Sequence, residues 1–294
     1  MKIKNRVLSW PGTKFRQIND ILDIIKTDDY SIICEPYLGG GAFSLQQDAN
    51  KQFYWAEKNQ DLYNWWGNLL FKTEDLVEKM KDFKKLYSDA SHDQNIFIQM
   101  REHYNEIKFL KPSSVETSAS LWVLIYQSTN NLARFNKKGD YNQTWGRGRK
   151  IPDISSCFND ETIQYFKDLS RNINLYKNAD DLLGHILNIE NKEKIIVYLD
   201  PPYILRTEVY DKTWDLEEEK KMFDYIYKLE NQGIPWFMTN YLSVESNSEI
   251  KEHPFMDIIN KFSIYPLERK KDARPTSSGN KANEFIIVGS HYAV

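Results

Sequence analysis

The chain has 294 residues, 41% of them hydrophobic, enough to bury a full core as one large domain or as a domain carrying an insertion. Its net charge of −3 excludes a bulk polycation, so any contact with nucleic acid has to come from local patches. No run reaches membrane-spanning length, too few residues precede Ser9 for the apolar region of a signal peptide, and the cysteines and histidines form neither CxxC nor HExxH; a cytoplasmic protein without a metal site is expected.

Trp10-Pro11-Gly12-Thr13-Lys14 reads as a turn feeding an amphipathic helix, because Phe15, Ile18, Ile21, Leu22 and Ile25 follow at helical spacing. A short strand at 31–34 then runs into Glu35-Pro36-Tyr37-Leu38-Gly39-Gly40-Gly41, with a helix expected from Ala42. Strand, acid, glycine loop and helix is the layout of a nucleotide-type cofactor site, since absent side chains let a ligand approach the backbone. The loop lacks the Lys and Ser/Thr of a phosphate cradle, and Glu35 beside it would repel a pyrophosphate while accepting from an amino group. A second strand at 53–56 ends at Glu57, a position suited to ribose hydroxyls.

Residues 61–128 are expected to be helical. Leu76, Met80, Phe83 and Tyr87 follow a Thr73 cap, Ile96, Met100, Tyr104 and Ile107 repeat the period, and 121–126 marks a buried helix centre. Residues 130–150 then carry six basic side chains against Asp140 alone, interleaved with Phe135, Tyr141, Trp145 and three glycines. Such a loop or hairpin suits a nucleic-acid surface as well as a solvated face. Beyond Pro152 a helix through Ile163, Phe166 and Leu169 and a strand at 173–176 lead to Asp180, another acid at a strand end. Asp215 and Glu218 form a capping box, 236–238 and 285–288 are strands, and 269–281 is a basic loop.

The most informative stretch is Ile195-Ile-Val-Tyr-Leu-Asp-Pro-Pro-Tyr203. Its apolar run suits a buried parallel strand, and the acid falls at the strand's carboxyl end. The prolines offer carbonyls and no N–H groups, so Asp200 and the Pro201 carbonyl form an acceptor-rich site with an aromatic ring, Tyr203, beside it. Two acceptors and a ring suit a flat substrate bearing an NH2 group.

In this order, these motifs resemble the Dam-type (α-order) DNA adenine-N6 methyltransferases over nearly the whole chain. The resemblance is carried by Trp10 to Lys14, Glu35 to Phe43, Ala56 to Leu62, 130–146, Asp180, Leu199 to Tyr203, Thr239-Asn240 and 281–287. It implies an α/β, Rossmann-like S-adenosylmethionine-dependent methyltransferase sheet formed by 1–60 and 151–294, with an inserted helical DNA target-recognition domain at 61–150. It further implies that Trp10, Lys14, Glu35, Tyr37, Gly39, Gly41, Phe43, Glu57, Asp180 and Asp200 hold S-adenosylmethionine. Asp200, Pro201, Pro202 and Tyr203 would hold a flipped adenine, and Asn130, Leu132, Arg134, Asn136, Lys138, Asn142 and Arg147 would contact double-stranded DNA.

The chain departs from the pattern of GATC-modifying members at Ser9, Thr129, Asn131 and Thr144, so a GATC target does not follow. The expectation is a monomer in a bacterial or viral setting, at the nucleoid, acting alone or beside a cognate restriction nuclease. Cytosine-N4 transfer is the alternative within the same chemistry. A catalytically silent DNA-binding protein is the alternative from another class.

Overall fold

The strand Ile195–Leu199 is buried at all five positions, as its uninterrupted run of β-branched, aromatic and aliphatic residues requires. The computed structural model describes residues 3, 6–206, 214–246, 249–267 and 281–292; residues 269–280 of the expected basic loop lie outside this set. Its helices are α1 (Ile18–Ile24), α2 (Gln60–Phe71), α3 (Thr73–Leu86), α4 (Gln94–Leu110), α5 (Val115–Gln127), α6 (Ile154–Cys157), α7 (Asp160–Leu169), α8 (Ala179–Ile186), α9 (Leu216–Asn231) and α10 (Met256–Ile259). The strands are β1 (Ile32–Glu35), β2 (Gln52–Ala56), β3 (Ile173–Tyr176), β4 (Ile195–Leu199), β5 (Trp236–Ser246), β6 (Glu249–Glu252), β7 (Ser263–Leu267) and β8 (Lys281–Val288).

The chain forms two compact units. One comprises Met1–Thr13, Gly39–Lys51 and Glu57–Lys177; the other comprises Lys14–Leu38, Gln52–Ala56 and Asn178–Val294. Residues 61–150 fall wholly within the first unit, which also takes in the N-terminal segment, the glycine loop and 151–177.

The second unit carries a sheet in the order β2-β1-β4-β5-β8-β7. Strands β2, β1, β4 and β5 are parallel, β8 runs antiparallel between β5 and β7, and β6 pairs with the far end of β5. From β1 the chain goes to β2 on one side and later to β4 on the other. Strand order therefore reverses next to β1 and β4, where open α/β sheets bind ligands at their carboxyl ends. With Cys34 opposite Val197 and Leu199 opposite Met238, the register brings Glu35, Asp200 and Thr239 to that one edge.

The first unit is built on α5, buried at every position from Thr117 to Gln127, with α2, α3 and α4 packed around it. A helix apolar on all faces needs partners on all sides, which the amphipathic helices supply. Asn59, Asp93 and Ser114 cap α2, α4 and α5 through backbone N–H groups of the first turn.

Two expectations are corrected. Thr73 does not cap α3; it is the first helical residue, and its hydroxyl donates back to the Leu69 carbonyl at 2.6 Å. Nor does a full helix start at Ala42, where the chain makes only a 3₁₀ turn, Ser44–Gln46. Gly39 and Gly41 both adopt positive φ, and the Tyr165 hydroxyl, from α7, lies 3.3 Å from the Ser44 carbonyl and 3.1 Å from the Gln47 carbonyl. A helix would have used those carbonyls for its own ladder. Replacing Tyr165 by Phe leaves both buried acceptors without this donor, and urea unfolding should show a loss of about 1 to 3 kcal/mol; an unchanged midpoint would mean the hydroxyl does not hold this turn.

Candidate active site

A lysine with an aliphatic stem can be buried if its ammonium finds carboxylates, and Lys14 does so, being 6% exposed. It lies on the 3₁₀ turn Lys14–Arg16, and its Nζ donates to Asp200 Oδ1 and Oδ2 at 2.7 and 2.9 Å, with Glu284 Oε1 at 3.4 Å. Asp200 follows directly on β4, and Glu284 sits on β8. Asp200 Oδ1 also accepts from Thr239 Oγ1 at 2.8 Å, while Thr239 is bonded to the Tyr198 hydroxyl. The Tyr203 hydroxyl, 3.0 Å from Asp200 Oδ1 and 2.5 Å from Glu284 Oε1, shares its hydrogen between them; Gln17 Nε2 donates to Glu284 Oε2 at 2.7 Å. Lys14 Nζ stands 4.8 Å from the Tyr203 ring centroid, and Tyr241 meets that ring edge-on.

One cation against two carboxylates leaves the cluster with a net charge of −1. Burial pushes the Asp200 carboxyl above its ordinary range, and Lys14 offsets only part of this. Burial acts on Glu284 in the same sense, but Lys14 and the hydrogen bonds from Tyr203 and Gln17 bring it below the usual value. Lys14 itself loses by burial and gains more from the two carboxylates, so it stays charged. Asp200 is therefore the better proton acceptor of the two acids.

On the same edge, Glu35 is buried at the end of β1. Burial pushes the Tyr37 hydroxyl far above its ordinary range, and its ring meets Trp214 edge-on at 5.4 Å. The Trp214 indole donates to Glu219, which also binds His253 Nε2 at 2.9 Å. Since the Phe255 N–H donates to His253 Nδ1, the ring's proton is on Nε2 and points at Glu219. Asp180 is exposed in the first turn of α8, one residue past the start.

In the first unit, Glu57 ties the glycine loop. Its Oε2 accepts from Gly39 N–H at 3.0 Å and its Oε1 from Asn59 N–H at 2.7 Å, while the Gly39 carbonyl accepts from the Trp66 indole. Trp10 lies against the loop, 3.9 Å from where a Cβ at Gly39 would stand, and Phe43 is fully buried behind it. A Cβ at Gly40 would come within 2.6 Å of Thr13 Oγ1, a buried hydroxyl with no hydrogen-bond partner among the described residues. A glycine cradle and an unsatisfied hydroxyl suit a polar ligand.

The 130–150 segment, also in the first unit, is a hairpin with antiparallel bridges between Ser128 and Trp145 and between Phe135 and Tyr141. Arg134, Asn136, Lys138 and Arg147 are exposed, as is Asn130 at φ 60°; Leu132 and Asn142 are half-buried. Arg134 is also a cross-strand clamp, donating to the Asn142 side chain at 3.0 Å and carbonyl at 2.8 Å. Asn136 orders the tip, where its Oδ1 accepts from the N–H groups of Lys138 and Asp140. The four departures from the GATC pattern meet in pairs at the hairpin's base: Ser9 donates to the Asn131 carbonyl at 2.8 Å, and the Thr129 and Thr144 hydroxyls bond at 2.9 Å.

Sequence reasoning named Thr239 and Glu284 only as parts of motifs, and it missed Gln17. Their signal lies in strand register, which places Glu284 opposite Tyr241 and Leu267. Among the described residues no group of three or more His, Cys, Asp or Glu is set to hold a metal ion, and no helix is long and apolar enough to cross a membrane. Replacing Lys14 by Met leaves two buried acids without their cation, which should cost about 3 to 5 kcal/mol at neutral pH. Losing Lys14 raises the folded-state pKa of both acids, so the deficit should shrink as pH falls through the carboxylate range. A deficit that stays constant with pH in denaturant titrations would exclude this electrostatic origin.

Comparison with known proteins finds a family and relatives along most of the chain. The family model described as D12 class N6 adenine-specific DNA methyltransferase matches residues 10–273. A DNA adenine methylase of Serratia marcescens is 27% identical over 98% of this chain and 99% of its own length. A Type II methyltransferase of Lactococcus lactis subsp. cremoris is 23% identical over 97% of each, and a DNA adenine methylase of Escherichia coli (strain K12) 22% identical over 82% of each.

Proposed function

We propose, from the premise that this chain belongs to the D12 class N6 adenine-specific DNA methyltransferases, that Asp200 and its buried partners activate the amino group of an adenine flipped out of duplex DNA. The observation that carries this reading is the net negative cluster of Lys14, Asp200 and Glu284 at the carboxyl edge of β4. A nitrogen that accepts a methyl group develops positive charge, and a preformed negative site stabilises that charge without having to reorganise.

The methyl donor is S-adenosylmethionine, which supplies an electrophilic methyl group on a sulfonium. Glu35, Tyr37, Asp180 and Asp200 are the proposed cofactor contacts of the second unit; Trp10, Gly39, Gly41, Phe43 and Glu57 are those of the first. Support for them comes from the buried acid at the end of β1, the positive-φ glycines and the unsatisfied Thr13 hydroxyl. Lys14, also a proposed cofactor contact, pairs with Asp200.

Adenine N6 is a poor nucleophile because its lone pair is delocalised into the ring. Asp200 and the Pro201 carbonyl accept its two hydrogens, which favours a pyramidal nitrogen with a localised lone pair. Pro202 removes a competing donor, and Tyr203 stacks on the base, recovering part of the few kcal/mol spent on flipping. Asp200 is already bonded to Lys14, so the entering amino group takes over one of these acceptor positions while Glu284 keeps the ammonium neutralised. The proton released by the methylated nitrogen goes to Asp200, whose carboxyl is the more basic of the two. Asn130, Leu132, Arg134, Asn136, Lys138, Asn142 and Arg147 are proposed to contact the DNA, and the altered hairpin base means that a GATC target does not follow. The protein acts as a monomer, alone or beside a cognate nuclease.

Incubation with labelled S-adenosylmethionine and unmethylated genomic DNA, followed by digestion to nucleosides, should yield labelled N6-methyl-2′-deoxyadenosine. Asp200→Ala should abolish transfer yet retain cofactor binding by calorimetry; unchanged turnover would remove Asp200 from catalysis. Because the working form of Asp200 is the carboxylate and burial raises its pKa, transfer should decline on the acid side at a higher pH than an ordinary aspartate would give. Arg134→Ala should cost about 1 to 3 kcal/mol on the preferred site and relax discrimination there. An even loss across sequences would assign Arg134 to phosphate.

A further inference from the structure

The two edges of the hairpin's return strand are used differently. Its even-numbered residues pair inward: Asn142 N–H donates to the Arg134 carbonyl and Asn136 N–H to the Asp140 carbonyl, both at 2.9 Å, and Thr129 N–H to the Thr144 carbonyl at 2.9 Å. The N–H and carbonyl of Tyr141 and the carbonyls of Gly139 and Gln143 turn outward, where an antiparallel edge normally lacks a partner. Here α4 supplies one. Lys108 Nζ donates to the Gly139 carbonyl at 2.6 Å. Asn105 makes a two-way bond with Tyr141, accepting from its N–H at 2.7 Å and donating to its carbonyl at 3.1 Å. Arg101 donates to the Gln143 carbonyl at 3.4 Å. One residue pair further on, the Trp145 indole donates to the Ala90 carbonyl at 2.7 Å, in the turn before α4.

Positions 101, 105 and 108 lie on one helical face and advance about 10.5 Å, close to the roughly 13 Å between residues 139 and 143 of a strand. The short Asn sits in the middle and the long Arg and Lys at the ends, which suits a twisted strand diverging from a straighter helix. Lys108 is 8% exposed and also held by Asp61 at 2.6 Å, with the Phe135 ring centroid 4.7 Å from its ammonium, so the latch at the tip is anchored on both sides.

We propose that Arg101, Asn105 and Lys108 form a splint that fixes the register and tilt of the hairpin, making them positioning residues for target-sequence discrimination although their hydrogen bonds to it go to main chain. The proposal rests on the hairpin's assigned role in reading DNA.

The test uses the full chain. Genomic DNA lacking adenine methylation is treated with wild type, Asn105→Ala, Lys108→Met and Lys108→Arg, and the methylated sites are mapped by sequencing. Asn105→Ala and Lys108→Met should narrow the rate ratio between the preferred site and its nearest variants by tenfold or more. Cofactor binding by calorimetry should be unchanged, the Tyr141 amide in Asn105→Ala should exchange faster with solvent, and Lys108→Arg should restore discrimination. An unaltered ratio alongside faster Tyr141 exchange would overturn the proposal, as would a uniform loss of rate at every site. Lys138→Ala and Arg147→Ala separate the two layers. If neither weakens DNA binding, the hairpin's role itself is wrong. If they do weaken it while Asn105→Ala keeps its preference, only the splint falls.

Discussion

The buried ammonium of Lys14 is the constraint on which the sheet edge depends. It joins a turn near the N-terminus to Asp200, 186 positions along the chain, and to Glu284 on the last described strand. Two acids this close would repel one another and take up protons; with the lysine between them they become a fixed charge of defined sign. Desolvating three ionisable groups is costly, and chemistry at the edge gives a reason to retain them. The same contacts tie together the N-terminal turn, the end of β4 and β8.

Much of this was legible in local pattern. β4 begins and ends where its apolar run does, because a strand buried on both faces tolerates no polar residue and the Asp-Pro-Pro step ends the ladder. Ile173–Tyr176 and the Asp215 cap of α9 were equally local, the Asp215 side chain accepting from the N–H groups of Glu217 and Glu218. The missing helix after Ala42 was not legible, since the Ser44 and Gln47 carbonyls of the turn also accept from a tyrosine more than a hundred positions away. Gln17, just before α1, and Asn105, on α4, look like ordinary polar residues, and only tertiary structure shows what they bond to.

The basic hairpin shows why composition locates a surface better than it assigns roles. Of the residues expected to contact DNA, Arg134, Asn136 and Asn142 are already bonded to one another's strands or to the tip, so they shape the loop as well as present it. Lys138 and Arg147 are exposed, as a phosphate contact requires. Ser9, Thr129, Asn131 and Thr144, scattered in sequence, meet at the hairpin's base. A change at one of them alters the geometry of a bonded neighbour, so such positions are best understood as a set.

The contacts from α4 reach the hairpin through Gly139, Tyr141 and Gln143 main-chain atoms. Hydrogen bonds to the backbone do not depend on the identity of side chains that point to solvent. An exposed side chain such as Lys138 can therefore be exchanged without breaking a bond of this mount, as a chuck accepts different bits. How the hairpin is held is thus separate from what its exposed side chains display.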